Sequence, residues 1–300
     1  MKIIRIIHIF LFGFFFFSSV LACNTPDVEL YSEKKEYHAS IFAQIKEIDN
    51  YNGIGAQGFA TFGNVGFCFY DSGYCKTIDL DEKKIITSFM LPEGVANPKN
   101  HCGVACFSDS YFDKNDKYPL LYLSSYKEYK CYVLRMTETS AELVQVIQMK
   151  DDNGKIIPIY AFMPDGDKLV MKSSKTTKTE VGYPYVWQTI KRPDIEQHDY
   201  SLSPKDVISK FKVISSDPYN GGFCKNNKIY QLAGYNGYGS KKLYIIDYVN
   251  GVILKEIIWQ EPFLYNKEQE QCSPYGEDGM LINYNGVDYI TYIKFKNFRY

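Results

Sequence analysis

The sequence has 300 residues, with 34 Lys and Arg against 35 Asp and Glu, and a formal net charge of −1 at pH 7. The two signs are interspersed, without the concentrated basic surface that nucleic-acid binding requires, so no nucleic-acid partner is expected. The 27 Tyr and 20 Phe favour β-strands over helices and indicate an all-β fold.

The first 22 residues have the pattern of an export signal. Lys2 and Arg5 precede a long apolar run, and small residues close the segment at "SSVLA". Cys23 follows directly, and a small residue before a cysteine at this place resembles the bacterial lipoprotein cleavage site. The resemblance implies cleavage before Cys23, a lipid on its sulfur, and an exported protein anchored to a bacterial membrane in the periplasm or at the cell surface. The alternatives are an ordinary signal peptide followed by a chance cysteine, or an uncleaved anchor.

The remainder divides into a spacer, residues 23–39, and a single domain, residues 40–300. No segment after the signal has the roughly 18 uninterrupted apolar residues that a membrane-spanning helix requires. The spacer, "CNTPDVELYSEKKEYHA", is polar and reads as a short link between the lipid and the domain.

The domain contains five similar units, which predict its architecture. Each unit has a first strand element, such as "QGFATFGN", followed by a second and a third, such as "VGFCFYD" and "YCKTIDL". The first elements begin at Gln57, Cys102, Tyr160, Asn220 and Cys272. Repetition of this kind is typical of a β-propeller, here with five four-stranded blades. A β-sandwich or two small β domains are the alternatives.

Two units depart from the pattern. Unit three contains a predicted helical turn at Ser203 and Pro204 before its fourth strand. Unit five ends after its third strand, which would leave an unpaired edge. The strand-like segment "SIFAQIKEI", residues 40–48, is predicted to supply the missing outer strand and so to close the ring.

Two family resemblances follow from these motifs. "QGFATFGN" and "NHCGVACFSDSYFDKNDKYPLLYLSS", continued by "KCYVLRM", resemble a family of uncharacterised bacterial lipoproteins with propeller folds over residues 40–300. That resemblance implies export and a propeller, but no particular activity. Gln57 and Gly58 also resemble the first blade of the plant-type glutaminyl cyclases, which are five-bladed. This second likeness covers one blade, and the acidic element of that family's second blade is absent at "CGVACF".

The starts of the innermost strands predict a ligand site. These strands line the central channel of a propeller, and a pocket at the channel mouth is the usual ligand site. Amide, imidazole and phenol groups there could hold a sugar or another small polar ligand, or they could only satisfy each other and water. The residues predicted to form this mouth are Gln57, His101, Tyr160, Tyr219, Asn220 and Gln271.

The cysteines predict one disulfide and no metal centre. Cys68 and Cys75 flank "FYDSGY", where a turn would set them opposite each other, so this pair is the candidate for a bridge. Most of the other five cysteines after Cys23 read as buried thiols that act as small hydrophobic groups. Neither a CxxC nor a paired-histidine motif occurs, so no metal or other cofactor is expected.

The resulting hypothesis is a non-catalytic binding module, anchored at the cell envelope, for a glycan, a peptide or a protein partner. The alternative is an enzyme at the channel mouth, either a carbohydrate-active hydrolase or lyase or a glutaminyl-cyclase-like enzyme. Catalysis is the less favoured hypothesis because the aligned mouth positions offer no acid pair. Glu277 and Asp278 are adjacent and read as a solvated turn.

Overall fold

The computed structural model describes residues 37–46, 48, 55–97, 100–173, 177–235, 238–260 and 267–295. These residues form 22 β-strands and two 3₁₀ turns, and the strands lie in five sheets. Cys23, the export signal 1–22 and the spacer up to residue 36 lie outside the described residues. Among the residues that are described, no helix is long and apolar enough to cross a membrane.

The strands of each sheet are given from the channel outwards. Blade 1 consists of β3 (Ala56–Phe62), β4 (Val65–Tyr70), β5 (Tyr74–Asp79) and β6 (Lys84–Met90). Blade 2 consists of β7 (Cys102–Phe107), β8 (Leu121–Ser125), β9 (Lys130–Met136), β10 (Ala141–Met149) and β14 (Asp199–Leu202). Blade 3 consists of β11 (Ala161–Asp165), β12 (Lys168–Lys172), β13 (Tyr183–Lys191) and β15 (Val207–Ser215).

The last two blades combine strands from both ends of the domain. Blade 4 consists of β16 (Tyr219–Lys225), β17 (Lys228–Tyr235), β18 (Tyr238–Asp247), β19 (Val252–Gln260) and β1 (Tyr37–His38). Blade 5 consists of β20 (Gln269–Tyr275), β21 (Gly279–Tyr284), β22 (Tyr289–Lys294) and β2 (Ser40–Gln44).

The five innermost strands form a closed ring. Strand β3 packs against β7, β7 against β11, β11 against β16, β16 against β20, and β20 against β3. Strand β2 pairs antiparallel with β22 and supplies the outer strand of blade 5. The predicted five-bladed propeller, closed by the N-terminal strand, is therefore confirmed.

Two blades carry an additional outer strand that the repeat pattern did not predict. Strand β1 pairs in parallel with β19, so residues 37 and 38, which fall within the predicted spacer 23–39, belong to the sheet of blade 4. Strand β14 leaves blade 3 and pairs in parallel with β10 of blade 2. The chain then returns through a 3₁₀ turn, Pro204–Asp206, capped by Ser203 as predicted.

Aromatic side chains fill the spaces between blades. Between blades 1 and 2, the ring of Phe67 lies 5.4 Å from Phe107 and 5.2 Å from Tyr118, both in edge-on geometry. Trp187, Tyr185 and Tyr230 are buried in the same way near blades 3 and 4. Packing of large rings between twisted sheets explains the high aromatic content, because each ring removes much apolar surface from water.

The predicted disulfide between Cys68 and Cys75 is wrong. In the β4–β5 hairpin Cys75 pairs with Phe69, whereas Cys68 pairs with Lys76. Neighbouring residues on a strand point to opposite faces, so this offset of one residue places the two thiols on opposite faces of blade 1. All seven cysteines of the described chain are free, and six of them are buried, as expected for thiols that serve as small hydrophobic groups.

Candidate functional site

Four of the five innermost strands contain a β-bulge near their first residue. The pairing register shifts by one or more residues at this point in β3, β7, β16 and β20. A bulge leaves residues without a partner and turns their side chains away from the regular pleat. The residues left unpaired are Gln57, Gly103, Asn220 with Gly221, and Glu270. The bulges occupy one level of the propeller, at the mouth of the channel.

A cavity of about 300 Å³ opens at this mouth, on the side of blades 2 to 5. Its walls combine aromatic rings with charged groups. The lining residues are His101, Gly103, Val104, Tyr126, Tyr160, Lys172, Tyr185, Pro218, Tyr219, Asn220, Gly221, Glu268 and Glu270.

Four of the six residues predicted to form the mouth line this cavity, namely His101, Tyr160, Tyr219 and Asn220. Gln57 is buried beside it, and its side chain hydrogen-bonds to the Glu270 carboxyl group. Gln57 therefore positions an acidic group of the cavity and does not itself form the wall.

Gln271 has a structural role below the cavity. Its Oε1 accepts a hydrogen bond from the backbone N–H of Gly222 at 2.7 Å. Its Nε2 donates to the carbonyl oxygen of Gly222 at 2.7 Å and to that of Ala105 at 3.3 Å. These contacts join blades 5, 4 and 2 across the channel. The assignment of Gln271 as a ligand-binding residue is therefore corrected.

Tyrosine rings form much of the cavity wall. The ring of Tyr160 lies 4.9 Å from Tyr126 and 5.3 Å from Tyr129. On the next wall Tyr185 and Tyr219 are stacked, with centroids 3.9 Å apart and planes within 9°. These contacts hold the rings in fixed orientations, so the cavity presents rigid apolar surface to a ligand.

His101 is oriented by a carboxylate. Its Nδ1 lies 2.8 Å from Oδ1 of Asp71, which belongs to the 3₁₀ turn Asp71–Gly73 of blade 1. The imidazole also contacts the Tyr126 ring, with centroids 5.7 Å apart. Because Nδ1 is engaged by Asp71, Nε2 is the imidazole nitrogen that a ligand can use.

Two glutamates of blade 5 bring carboxyl groups to the cavity wall. Glu268 immediately precedes β20, Glu270 is the residue that the bulge of β20 leaves unpaired, and both line the cavity. Burial raises the pKa of Glu270 well above its usual range, and the neighbouring Glu268 and Asp71 raise it further. Burial also raises the pKa of Glu268, although Lys241 and His101 oppose this shift.

The sequence alignment missed this pair because it began unit five at Cys272. The bulge lies two residues earlier, in "QEQCSPY", where Glu270 corresponds to Gln57 of blade 1. The signal in the sequence was a polar residue just before the first apolar position of the strand, as in "AQGF". The adjacent pair Glu277 and Asp278 lies in the β20–β21 turn, away from the cavity, as predicted.

Lys172 is a buried cation on the opposite wall. It is the last residue of β12 in blade 3, and its side chain is only 8% exposed. The ammonium group lies 5.6 Å from the centroid of the Tyr185 ring. Within the described residues it forms no salt bridge, and burial lowers the pKa of Lys172 to about 8.

The fold and the cavity together define a five-bladed β-propeller with a charged, tyrosine-walled pocket at one mouth of its channel. No protein-family model matches the chain, and no curated protein matches it. The described residues also contain no group of three His, Cys, Asp or Glu side chains that could hold a metal ion.

Solved structures of other proteins have a similar fold at low sequence identity. A glutaminyl cyclase from Myxococcus xanthus is 12% identical, with a TM-score of 0.49 over 87% of this chain and 98% of that one. The Cps50 (Swd1) β-propeller domain of Myceliophteria thermophila is 10% identical, with a TM-score of 0.41 over 81% and 83%. BamB from Moraxella catarrhalis is 10% identical, with a TM-score of 0.37 over 82% and 59%.

Proposed function

We propose that this protein is a binding module whose ligand site is the cavity at the channel mouth. The observation that carries the proposal is the convergence there, from four blades, of fixed tyrosine rings, an oriented imidazole and ionisable groups. In this proposal the propeller is exported, held at a bacterial membrane through a lipid on Cys23, and presents the mouth to a glycan, a peptide or an envelope protein.

The size and chemistry of the cavity support a small polar ligand or one residue of a larger one. A cavity of about 300 Å³ is at the lower end of the range for ligand pockets. The rings of Tyr126 and Tyr160 on the cavity wall can pack against a sugar ring or an apolar side chain, while His101 can form one directed hydrogen bond.

Gly103 gives a direct test of the site. It lies on the cavity wall, and a Cβ atom there would have no neighbour nearer than Cδ2 of His101 at 3.6 Å. Gly103→Leu should therefore fill part of the cavity without displacing the backbone. We expect it to weaken binding at least about tenfold, which corresponds to roughly 1.4 kcal/mol, while the melting temperature changes by only a few degrees.

Binding would be measured on a glycan array and a peptide panel, with Ser88→Leu as the matched control on the exposed outer strand of blade 1. Unchanged binding of the selected ligand by Gly103→Leu would place the binding site elsewhere on the protein.

Acid–base catalysis at the same mouth is the second candidate function, and the Glu268–Glu270 pair favours it. A buried carboxyl with a raised pKa can donate a proton while its neighbour remains ionised. Cyclisation of an N-terminal glutamine also requires a proton for the departing ammonia.

Chromogenic glycosides and peptides with N-terminal glutamine would test this second function. Turnover that is lost in Glu270→Gln, but retained in the control variant Glu277→Gln in the distant β20–β21 turn, would establish catalysis. Binding without any turnover would leave the binding module as the function.

A further inference from the structure

We propose that the mouth binds an acidic sugar of a glycan, a hexuronic acid whose carboxylate pairs with the ammonium group of Lys172. This inference rests on the proposed function, because it specifies the chemical class of ligand that the same cavity accepts. It selects a sugar acid over the neutral sugar of the same size, and a glycan over a peptide.

The first step concerns the charge of Lys172. The residue is buried and lines the cavity at the end of β12. Its ammonium group faces the Tyr185 ring and forms no salt bridge with any residue that the structure describes. Burial lowers the pKa of Lys172, and no described carboxylate opposes that shift. A buried charge without a partner is costly, because water no longer solvates it, and the carboxylate of a ligand would supply the missing partner.

The second step concerns the surface beside this cation. The backbone N–H of Tyr160 donates to the carbonyl oxygen of Lys172 at 2.8 Å, so the two residues are neighbours at the mouth end of blade 3. The Tyr160 ring is held in place by the rings of Tyr126 and Tyr129, and both Tyr126 and Tyr160 line the cavity. A ligand that joins a carboxylate to a ring with an apolar face suits this combination, because the ring can pack against tyrosine while the anion meets Lys172.

The third step concerns the hydrogen-bonding groups on the rest of the wall, which favour a sugar ring. The Nδ2 of Asn220 donates to the carbonyls of Gly234 and Gln269 at 3.2 and 2.5 Å, which leaves Oδ1 of Asn220 to accept a hydrogen bond from a ligand. Nε2 of His101 is the second such group. Hydroxyl groups both donate and accept, so a sugar can satisfy either kind of partner. An aromatic acid or the carboxyl end of a peptide would leave most of these groups unsatisfied.

The two glutamates of the cavity oppose an anion less than surface carboxylates would. Burial raises the pKa of Glu268, and it raises the pKa of Glu270 well above the usual range. Each carboxyl group therefore stays protonated to a higher pH than a surface glutamate, and a protonated carboxyl group can donate to a hydroxyl or accept from one. The only charged group of the ligand lies at Lys172, so no group of opposite charge is required at the glutamates.

The contact with a carboxylate also determines how binding depends on pH. A bound carboxylate favours the charged form of Lys172, whose pKa is about 8. Affinity should therefore fall as the pH rises through this pKa, and binding there should take up protons. Ionisation of the glutamates would also weaken the binding of an anion, so the contribution of Lys172 is the part that Lys172→Met removes. The other titratable groups that line the cavity are His101, Tyr126, Tyr160, Tyr185, Tyr219, Glu268 and Glu270.

The experiment uses isothermal titration calorimetry on the purified protein with D-glucuronate and D-galacturonate. Each acid is compared with the neutral sugar, glucose or galactose, and with its own methyl ester, which keeps the ring but lacks the charge. Benzoate and N-acetyl-L-phenylalanine present a carboxylate on an aromatic acid and on a peptide-like compound. Lys172→Met removes the cation at similar side-chain length, and the matched control is Lys210→Met, at an exposed position of the outer strand of blade 3.

We expect at least one uronate to bind roughly 10- to 100-fold more tightly than its methyl ester and the neutral sugar, since only the acid forms the charged contact. Lys172→Met should bind the acid and the ester equally, and should lose the proton uptake at about pH 8 that titrations in two buffers of different ionisation enthalpy reveal. Lys210→Met should behave as wild type. The melting temperature of Lys172→Met should be unchanged or higher, because an apolar side chain replaces a buried charge that lacks an anionic partner.

Several other results would overturn the inference. Neutral sugars that bind as tightly as the uronates, and that Gly103→Leu no longer binds, would keep the mouth as the ligand site but exclude a sugar acid. Tighter binding of benzoate or N-acetyl-L-phenylalanine than of either uronate would exclude the glycan, and so would a failure of both uronates to bind. A lower melting temperature for Lys172→Met would show that the ammonium group stabilises the fold through Tyr185 instead of serving a ligand. Uronate binding that Gly103→Leu and Lys172→Met both leave unchanged would exclude the inference and the proposed site together.

Discussion

At the scale of single residues, the bulges depend on buried amides. A bulge leaves backbone groups without a ladder partner, and such groups are costly when they are buried. The Nε2 of Gln231 donates to the carbonyl of Gly221 at 2.9 Å, and Gln271 bonds both backbone polar groups of Gly222. The amide side chains of Gln231 and Gln271 therefore stabilise the backbone that shapes the mouth, although amide groups of this kind are also typical of ligand sites.

Gly221 shows how closely the blades approach one another at this level. A Cβ atom on Gly221 would lie 1.8 Å from Oε1 of Gln271 and 2.3 Å from the carbonyl oxygen of Glu270. Gly221→Ala should therefore destabilise the fold by roughly 1 to 3 kcal/mol, because blade 5 must move. Urea unfolding would measure this, with Gly103→Ala, which has open space, as the control. Equal stabilities of the two variants would contradict the close contact between blades 4 and 5.

At the scale of elements, the propeller is held together by strands that leave their own repeat. Strand β2 completes blade 5 from the other end of the chain, and β14 crosses from blade 3 to blade 2. Gln145 of blade 2 stabilises the segment that leads into β14. Its Nε2 donates to the carbonyls of Asp194 and Gln197 at 2.7 and 2.8 Å. These exchanges link neighbouring blades by backbone pairing as well as by side-chain packing.

Closure by β2 can be tested by deletion. Removing residues 40–48 would expose the edge of β22 and take away Ala43, Ile45 and Ile48, which are buried. We expect a loss of roughly 3 kcal/mol or more in unfolding free energy. Removing residues 24–36, which precede β1, is the control and should change the stability much less. Thermal unfolding of the two variants measures the difference, and equal melting temperatures would mean that β2 does not close the ring.

At the scale of the whole molecule, the chain enters the ring at blade 4. Strand β1 pairs along the outer strand of that blade before β2 continues to blade 5. If Cys23 carries a lipid, the segment between the lipid and the ring is at most residues 24–36, and it reaches the propeller at its rim and not at the channel.

The anchor itself gives a prediction for the whole molecule. Because the lipid is attached through the thiol, Cys23→Ser should move the protein from the detergent phase to the aqueous phase when expressed cells are extracted. The folded domain should be unaffected, so its melting temperature serves as the control. A protein that partitions identically with Ser at this position is not anchored through Cys23.

Five repeats, of which the last lacks an outer strand, were sufficient to predict a five-bladed propeller closed by the N-terminal strand. The repeats also placed His101, Tyr160, Tyr219 and Asn220 at the channel mouth, because equivalent positions of repeated strands lie at one level. Both predictions use the spacing of similar segments along the chain, which the sequence shows directly.

Tertiary structure alone decided which polar groups face the cavity. A shift of one residue at a bulge exchanges the faces of a strand, and the bulges depend on neighbouring blades and not on local sequence. That is why Glu270 was overlooked and why Gln271 proved structural. Cys68 and Cys75 point apart for a different reason, because the regular register of β4 with β5 pairs Cys75 with Phe69 and not with Cys68. Lys172 ends the second strand of blade 3 and lies buried beside Tyr185 on the cavity wall, a position that the alignment of the first strands did not include.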